Sequence, residues 1–302
     1  MLLTEIEKRT QKPIADLFDL FAGTSTGGIL ALALTKPDGA GKPAYSAQQL
    51  VSLYENEGQE IFSRSVWHRI RAIGNLLEER YPATGIEQVL EKYFGETRLK
   101  QALKEVIITS YEIERRIPWF FKSRNAKRFP DHDYLMKVVA RATSAAPTYF
   151  EPLKYPEGSL EYHAWIDGGV YANNPTLCAF AEAKKAFPQA DDYLVVSLGT
   201  GELTRPISYA DAKNWGLASW ALPILSVVFH GVSVTVDYQM TQMLPAAGTA
   251  RRYYRFEPRL DKGNDDMDDA SNTNLHALVS LAEELIASQQ DALDDLCRQL
   301  MV

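Results

Sequence analysis

Cysteine is nearly absent. Two residues, Cys178 and Cys297, in a chain of 302 cannot build a disulfide framework, and their separation matches no zinc-ligand spacing. Positive charge is not in surplus either. The formal net charge is −7, so the overall field repels nucleic acid and anionic bilayers, and membrane contact has to come from a local patch. Long apolar runs are missing. MLLTEIEKRTQKP at the N-terminus is too polar for a signal peptide. The most apolar window, residues 217–229, is too short to span a bilayer and contains a proline. No repeat and no phosphate-cradling G-K-[ST] loop is present. What remains is a soluble chain, read as one cytoplasmic domain over residues 1–302.

Hydrophobic residues make up 46% and charged residues 24%, enough apolar material for a sizeable core. Leu2, Leu3 and Ile6 among charged neighbours predict an amphipathic helix closed before Pro13. LFDLFA at residues 17–22 reads as a buried strand. GTSTGG follows, and then ILALAL, a helix apolar on every side and therefore buried. Further helices are expected at residues 47–62, 85–94 and 135–147. EVIITSYEI, residues 105–113, is a β-branched strand with IPWFFK as its partner. EYHAWIDGG and DDYLVVSLGTG each run from a strand into a glycine turn, and the apolar stripe after Leu275 suits one long terminal helix. This alternation predicts an α/β protein, a three-layer α/β/α sandwich with a mainly parallel central sheet.

The strongest local signal is Gly23-Thr24-Ser25-Thr26-Gly27, a G-x-S-x-G between a predicted strand and a predicted helix, with Gly28 after it. A sharp strand-to-helix turn strains the serine backbone and presents its hydroxyl above the sheet. Flanking glycines avoid clashes in such a turn. The helix N-terminus beneath Ser25 favours a developing anion. A plain glycine turn between packed elements is the bland alternative, and the strand before and buried helix after weigh against it.

A serine nucleophile needs a base. Of the five histidines, His68, His132, His163, His230 and His276, none sits at a strand end beside glycines. A Ser…Asp…His order would choose His230 or His276. Asp167-Gly168-Gly169 closes the strand YHAWI, and its glycines allow the carboxylate to approach a neighbouring loop. Asp-Gly is also a common turn, and an aspartate is a weak base unless burial raises its pKa. On chemistry alone both assignments stay open.

GTSTGG at residues 23–28, ARATSAAPTYFEP at 140–152, IDGGVYANNP at 166–175 and VVSLGTG at 195–201 together resemble patatin-like phospholipases, in the family's order and over almost the whole chain. The resemblance implies hydrolysis of lipid acyl esters by a Ser-Asp dyad without histidine, with Ser25 as nucleophile and Asp167 as base. It implies a three-layer α/β/α fold, no metal and no cofactor. Family members open with a strand and an Asp-Gly-Gly-Gly-x-Arg-Gly loop that forms the oxyanion hole. No such loop precedes Ser25, and Met1 is expected within the helix that should follow it. The backbone N–H of Thr26 is then the remaining oxyanion donor, and a bared strand edge would permit self-association. The partner expected is a phospholipid or other glycerolipid, with transient membrane-surface contact and no nucleic acid substrate. Two other readings stand beside this one. One is a non-catalytic lipid-binding or scaffold protein without an oxyanion hole, and the other is a Ser-Asp-His esterase using His230 or His276.

Three further features invite function. Arg115, Arg116, Lys122, Arg124, Lys127 and Arg128 interleave with Trp119, Phe120 and Phe121, which suits nucleic acid, a phospholipid surface or, as the reading preferred, a strand pair with aromatics inward and charges in water. DKGNDDMDD at 261–269 lacks EF-hand spacing and reads as a solvated acidic loop. Trp215, Trp220 and the apolar run to Phe229 read as core helix rather than an acyl groove.

Overall fold

The β-branched run Glu105–Glu112 forms the central strand, and three other strands pair with it directly. The computed structural model describes residues 1–52, 83–147, 149–203, 206–220, 223–245, 250–262, 269 and 271–302. In chain order its main elements begin with α1 (Leu2–Thr10), β1 (Leu20–Gly23), α2 (Thr26–Thr35) and α3 (Ala83–Phe94). Next come β2 (Glu105–Glu112), β3 (Ile117–Lys122), α4 (Met136–Thr143), β4 (Leu153–Tyr155) and β5 (His163–Asp167). Then follow α5 (Gly169–Ala172), α6 (Thr176–Ala186), β6 (Val195–Leu198) and α7 (Pro223–Met243). The chain closes with β7 (Tyr253–Phe256), α8 (Asn272–Ser288) and α9 (Gln290–Leu300).

The main sheet runs β1-β2-β5-β4, with β3 on the other edge of β2. It is mixed rather than mainly parallel, which corrects the expectation. β1 lies parallel to β2, while β3 and β5 lie antiparallel to it and β4 antiparallel to β5. The strand in DDYLVVSLGTG, β6, pairs in parallel with β7 in a separate two-stranded sheet. Hydrophobic patterning sets which residues of a strand are buried but not the direction of its neighbour, so orientation was not legible locally.

Alternation along β2 builds the layers. Ile108 and Ser110 face α2 and α4: Ile108 lies against Gly28, and the Ser110 hydroxyl reaches the Ala142 carbonyl. Thr109 and Tyr111 face α5, where Tyr111 meets the ring of Tyr171. Helices therefore cover both faces, in an α/β/α sandwich. The shared core includes Ile6, Leu32, Ile108, Phe121, Val139 and Trp165, all buried.

Several expectations shift at their ends. Residues 14–17 are a helical turn, so β1 starts only at Leu20. The helix foreseen at 47–62 is seen over residues 47–52, and the rest lies outside the described residues, as does His68. The terminal helix is two helices, broken at Gln289. That break lets α9 bury Leu293, Leu296 and Cys297 and meet α1, where Arg9 Nη1 donates to Asp294 at 2.6 Å. Among the described residues no helix is long and apolar enough to cross a membrane.

Candidate active site

Ser25 sits between β1 and α2 with φ 54° and ψ −127°, a positive φ that a side-chain-bearing residue rarely adopts. Its surroundings enforce that conformation. A Cβ on Gly23 would stand 2.2 Å from the Gly27 carbonyl oxygen, so only glycine lets the turn close. One on Gly28 would stand 2.8 Å from the Thr143 methyl and 3.1 Å from Ile108 Cγ2. Gly27 differs: a Cβ there would meet nothing within 4 Å, so the second glycine of the G-x-S-x-G is not required by packing. The Ser25 carbonyl accepts from the N–H groups of Gly28 and Ile29, which starts α2, and Thr26 is the first residue of that helix. The backbone N–H of Ser25 donates to the Thr143 hydroxyl at 2.9 Å.

Asp167 ends β5 and is 3% exposed. Its backbone N–H donates to the Ala145 carbonyl at 3.0 Å. Its carboxylate accepts the Gly169 N–H at 2.7 Å and a hydrogen bond from the Ser25 side chain. Burial raises the Asp167 pKa to about 6, against the opposing pull of those two hydrogen bonds. The structure thus brings together the two side chains that the sequence singled out.

The pairing of β2 explains how they meet. β3 occupies one edge of β2 from Ile107 to Glu112. β1 pairs with residues 105–108 and β5 with 110–112, so both must use the other edge. They approach head-on, with Gly23 opposite Ile108 and Asp167 opposite Ser110. Both C-terminal ends therefore converge over Thr109, by abutment of opposed strands and not by the shared direction of parallel ones.

Thr109 faces no strand residue on that edge, and threonines fill the gap. The Thr143 hydroxyl donates to the Thr109 carbonyl at 2.6 Å. The Thr24 hydroxyl donates to the Ala172 carbonyl at 2.6 Å, so in the 2.7 Å contact between Thr24 and Thr109 the proton comes from Thr109. No role for Thr24, Thr109 or Thr143 was evident from sequence. The available signal was Thr109-Ser110 in the middle of an apolar strand, where buried hydroxyls demand partners.

The histidines stand elsewhere. His163 stacks on Trp165, with Nδ1 2.9 Å from Arg115 Nη1, and burial with that cation lowers its pKa. His132 stacks on Trp119. His230 and His276 are exposed, and neither bonds to Ser25 or Asp167.

Beside the site, α7 lies against α5. The Phe229 ring stands 3.7 Å from where a Cβ on Gly169 would lie, and Asn173 and Asn174 donate to the carbonyls of Phe229 and Ser233. The reading of this apolar run as core helix is corrected. Only Ser233 and Met240 of α7 are buried, while Ile224, Val227, Val228, Val234 and Tyr238 are exposed. The basic-aromatic segment is strand β3, whose aromatics pack inward, followed by a short helix, Ser123–Arg128, that carries Arg124, Lys127 and Arg128. Phe121 is buried, Lys122 pairs with Glu182 at 2.5 Å and Lys127 with Glu105 at 3.1 Å. Most of the acidic stretch 261–269 lies outside the described residues.

The family model described as patatin-like phospholipase matches residues 3–180, a span that contains Ser25, the Thr109 junction and Asp167. The chain belongs to the patatin-like phospholipase family. Patatin-like protein 4 of Arabidopsis thaliana is 33% identical over 94% of this chain and 77% of its own length. Among potato (Solanum tuberosum) relatives, patatin-04/09 is 32% identical, over 94% of this chain and 77% of its own. A second potato relative, named probable inactive patatin-3-Kuras 1, is 30% identical, over 94% and 79%. Of solved structures, VipD from Legionella pneumophila aligns over 94% of this chain and 64% of its own, at TM-score 0.35 and 12% identity, too distant to bear on the site.

Proposed function

We propose that this patatin-like protein hydrolyses acyl esters of glycerolipids, of phospholipase A or lysophospholipase type, through an acyl-serine formed by a Ser25-Asp167 dyad. The contact between Ser25 and a buried Asp167 with its pKa raised to about 6 carries the reading. An ordinary carboxylate is too weak a base for a serine hydroxyl, and burial moves Asp167 toward the neutral range where proton transfer is efficient.

In this mechanism Asp167 takes the Ser25 proton as Oγ attacks the ester carbonyl. The C=O electrons move onto oxygen, and the backbone N–H of Thr26 at the start of α2 faces the developing charge. The intermediate collapses, the alcohol leaves with the proton held by Asp167, and the acyl group stays on Ser25. Asp167 then takes a proton from water. The resulting hydroxide attacks the acyl-serine, the fatty acid departs, and Ser25 recovers its proton.

A non-catalytic role is the competing reading, since one relative bears the name of a probable inactive patatin. Fatty-acid release from a panel of phospholipids and lysophospholipids separates the two. An initial burst of released alcohol, absent in Ser25→Ala, is expected. No release above the Ser25→Ala background on any lipid would defeat the hydrolase reading.

A further inference from the structure

Thr143 belongs to neither catalytic loop, yet one oxygen atom of its side chain touches the backbone of both the nucleophile turn and the strand junction. It closes α4, and its side chain is completely buried. Its hydroxyl accepts the Ser25 N–H at 2.9 Å and donates to the Thr109 carbonyl at 2.6 Å, so its one proton and one of its two lone pairs are engaged. Without that hydroxyl, a partly buried N–H and a buried carbonyl lose their partner together, at a position where Ser25 is held at positive φ. The two residues that follow extend the same support. Ser144 leads to Ala145, whose carbonyl takes the Asp167 N–H. The Thr143–Ala145 segment thus hydrogen-bonds the backbone of both Ser25 and Asp167.

We propose that Thr143 is a positioning residue for the acyl-transfer reaction: its hydroxyl clamps the strained Ser25 turn to the β2 junction and so holds the Ser25 hydroxyl on the Asp167 carboxylate. This rests on the dyad reading above. A consequence follows for the intermediate. The amide of the nucleophile itself is held by Thr143 and points into the fold, so it does not serve the oxyanion. The clamp acts through oxygen, whereas the Thr143 methyl acts only by packing against Gly28.

Thr143→Val and Thr143→Ser separate the two. Valine keeps the shape and removes the hydroxyl, while serine keeps the hydroxyl and leaves a methyl-sized void. We expect Thr143→Val to lose about 10²-fold in kcat, the scale of a misplacement near 1 Å, with KM changed less than about threefold. The rate at which a fluorophosphonate labels Ser25 should fall in parallel. Thr143→Ser should retain kcat within about threefold despite a lower Tm. A packing role alone reverses the order, with serine worse than valine, and that order would overturn the proposal. So would parental kcat in Thr143→Val while Ser25→Ala is dead. Turnover persisting in Ser25→Ala would instead strike down the dyad reading. Should Thr143→Val not fold, Thr143→Ser alone still decides: near-parental kcat supports the clamp, and a hundredfold loss in the folded variant overturns it.

Discussion

A methyl group on Gly168 would stand 2.2 Å from the Thr109 hydroxyl oxygen and 2.7 Å from its carbonyl carbon. No shift of a flexible side chain can relieve the backbone part of that contact. The turn after Asp167 is pressed against β2 at the point where β1 and β5 meet, which is what brings the carboxylate within reach of Ser25.

The dyad should act as one unit. Ser25→Ala and Asp167→Asn are each expected to lower kcat by at least about 10²-fold, and the double variant should be hardly worse than the poorer single one. Steady-state turnover of the three variants checks this, and strictly additive losses would count against a shared proton transfer.

The pH profile follows from Asp167. A base must be ionised to accept a proton, so kcat/KM should fall about tenfold per pH unit below pH 6 and level off above it. In Asp167→Asn any residual rate should lack that limb. An unchanged limb in the variant would assign it to another group.

Stability should move in the opposite sense to activity. Unfolded, the carboxyl titrates near pH 4, and folded near 6, so across that window the native state binds more protons and stability falls as pH rises. A shift of about two units corresponds to about 3 kcal/mol of destabilisation above pH 6. Asp167→Asn removes it, and its Tm should exceed the parent's at pH 8 and lose that advantage by pH 4. Calorimetry of both proteins at the two pH values checks the sign.

The glycines of the Ser25 turn should not be equivalent. Gly23→Ala drives a methyl into the Gly27 backbone, and Gly28→Ala pushes on Thr143 and Ile108. Both should lower Tm and kcat, with a cost in the range of about 1–3 kcal/mol for overpacking. Gly27→Ala meets open space and should leave Tm unchanged or slightly higher, alanine being the better helix former. Thermal melts of the three variants rank them.

Histidine should be dispensable for chemistry. Alanine at His132, His163, His230 or His276 is expected to leave kcat within about tenfold, below the loss typical of a missing general base. A thousandfold loss at His230 or His276 would restore a triad with histidine.

Local patterns made part of this readable. β1, the glycine-flanked Ser25 and the apolar α2 are contiguous, and each step constrains the next. Asp167 was legible as a strand-end residue beside two glycines. The direction of β5 was not, because the alternation in HAWID is the same for either orientation of its partner. Thr143 was hidden for a related reason. Its bonds run to Ser25 and Thr109, 118 and 34 residues away, and a threonine near a helix end carries no mark of such distant partners. The exposed face of α7 was misread because apolar composition signals burial only on average.

The abutment of β1 and β5 makes β2 a ruler. Gly23 and Asp167 lie opposite Ile108 and Ser110, two residues apart, which spans about 6–7 Å of extended chain. One residue gained or lost between those positions would slide the Ser25 turn and Asp167 past each other by about 3.3 Å and reverse the faces beyond the change. A segment that contributes neither side chain of the proposed dyad therefore tolerates less change in length than the loops that carry Ser25 and Asp167.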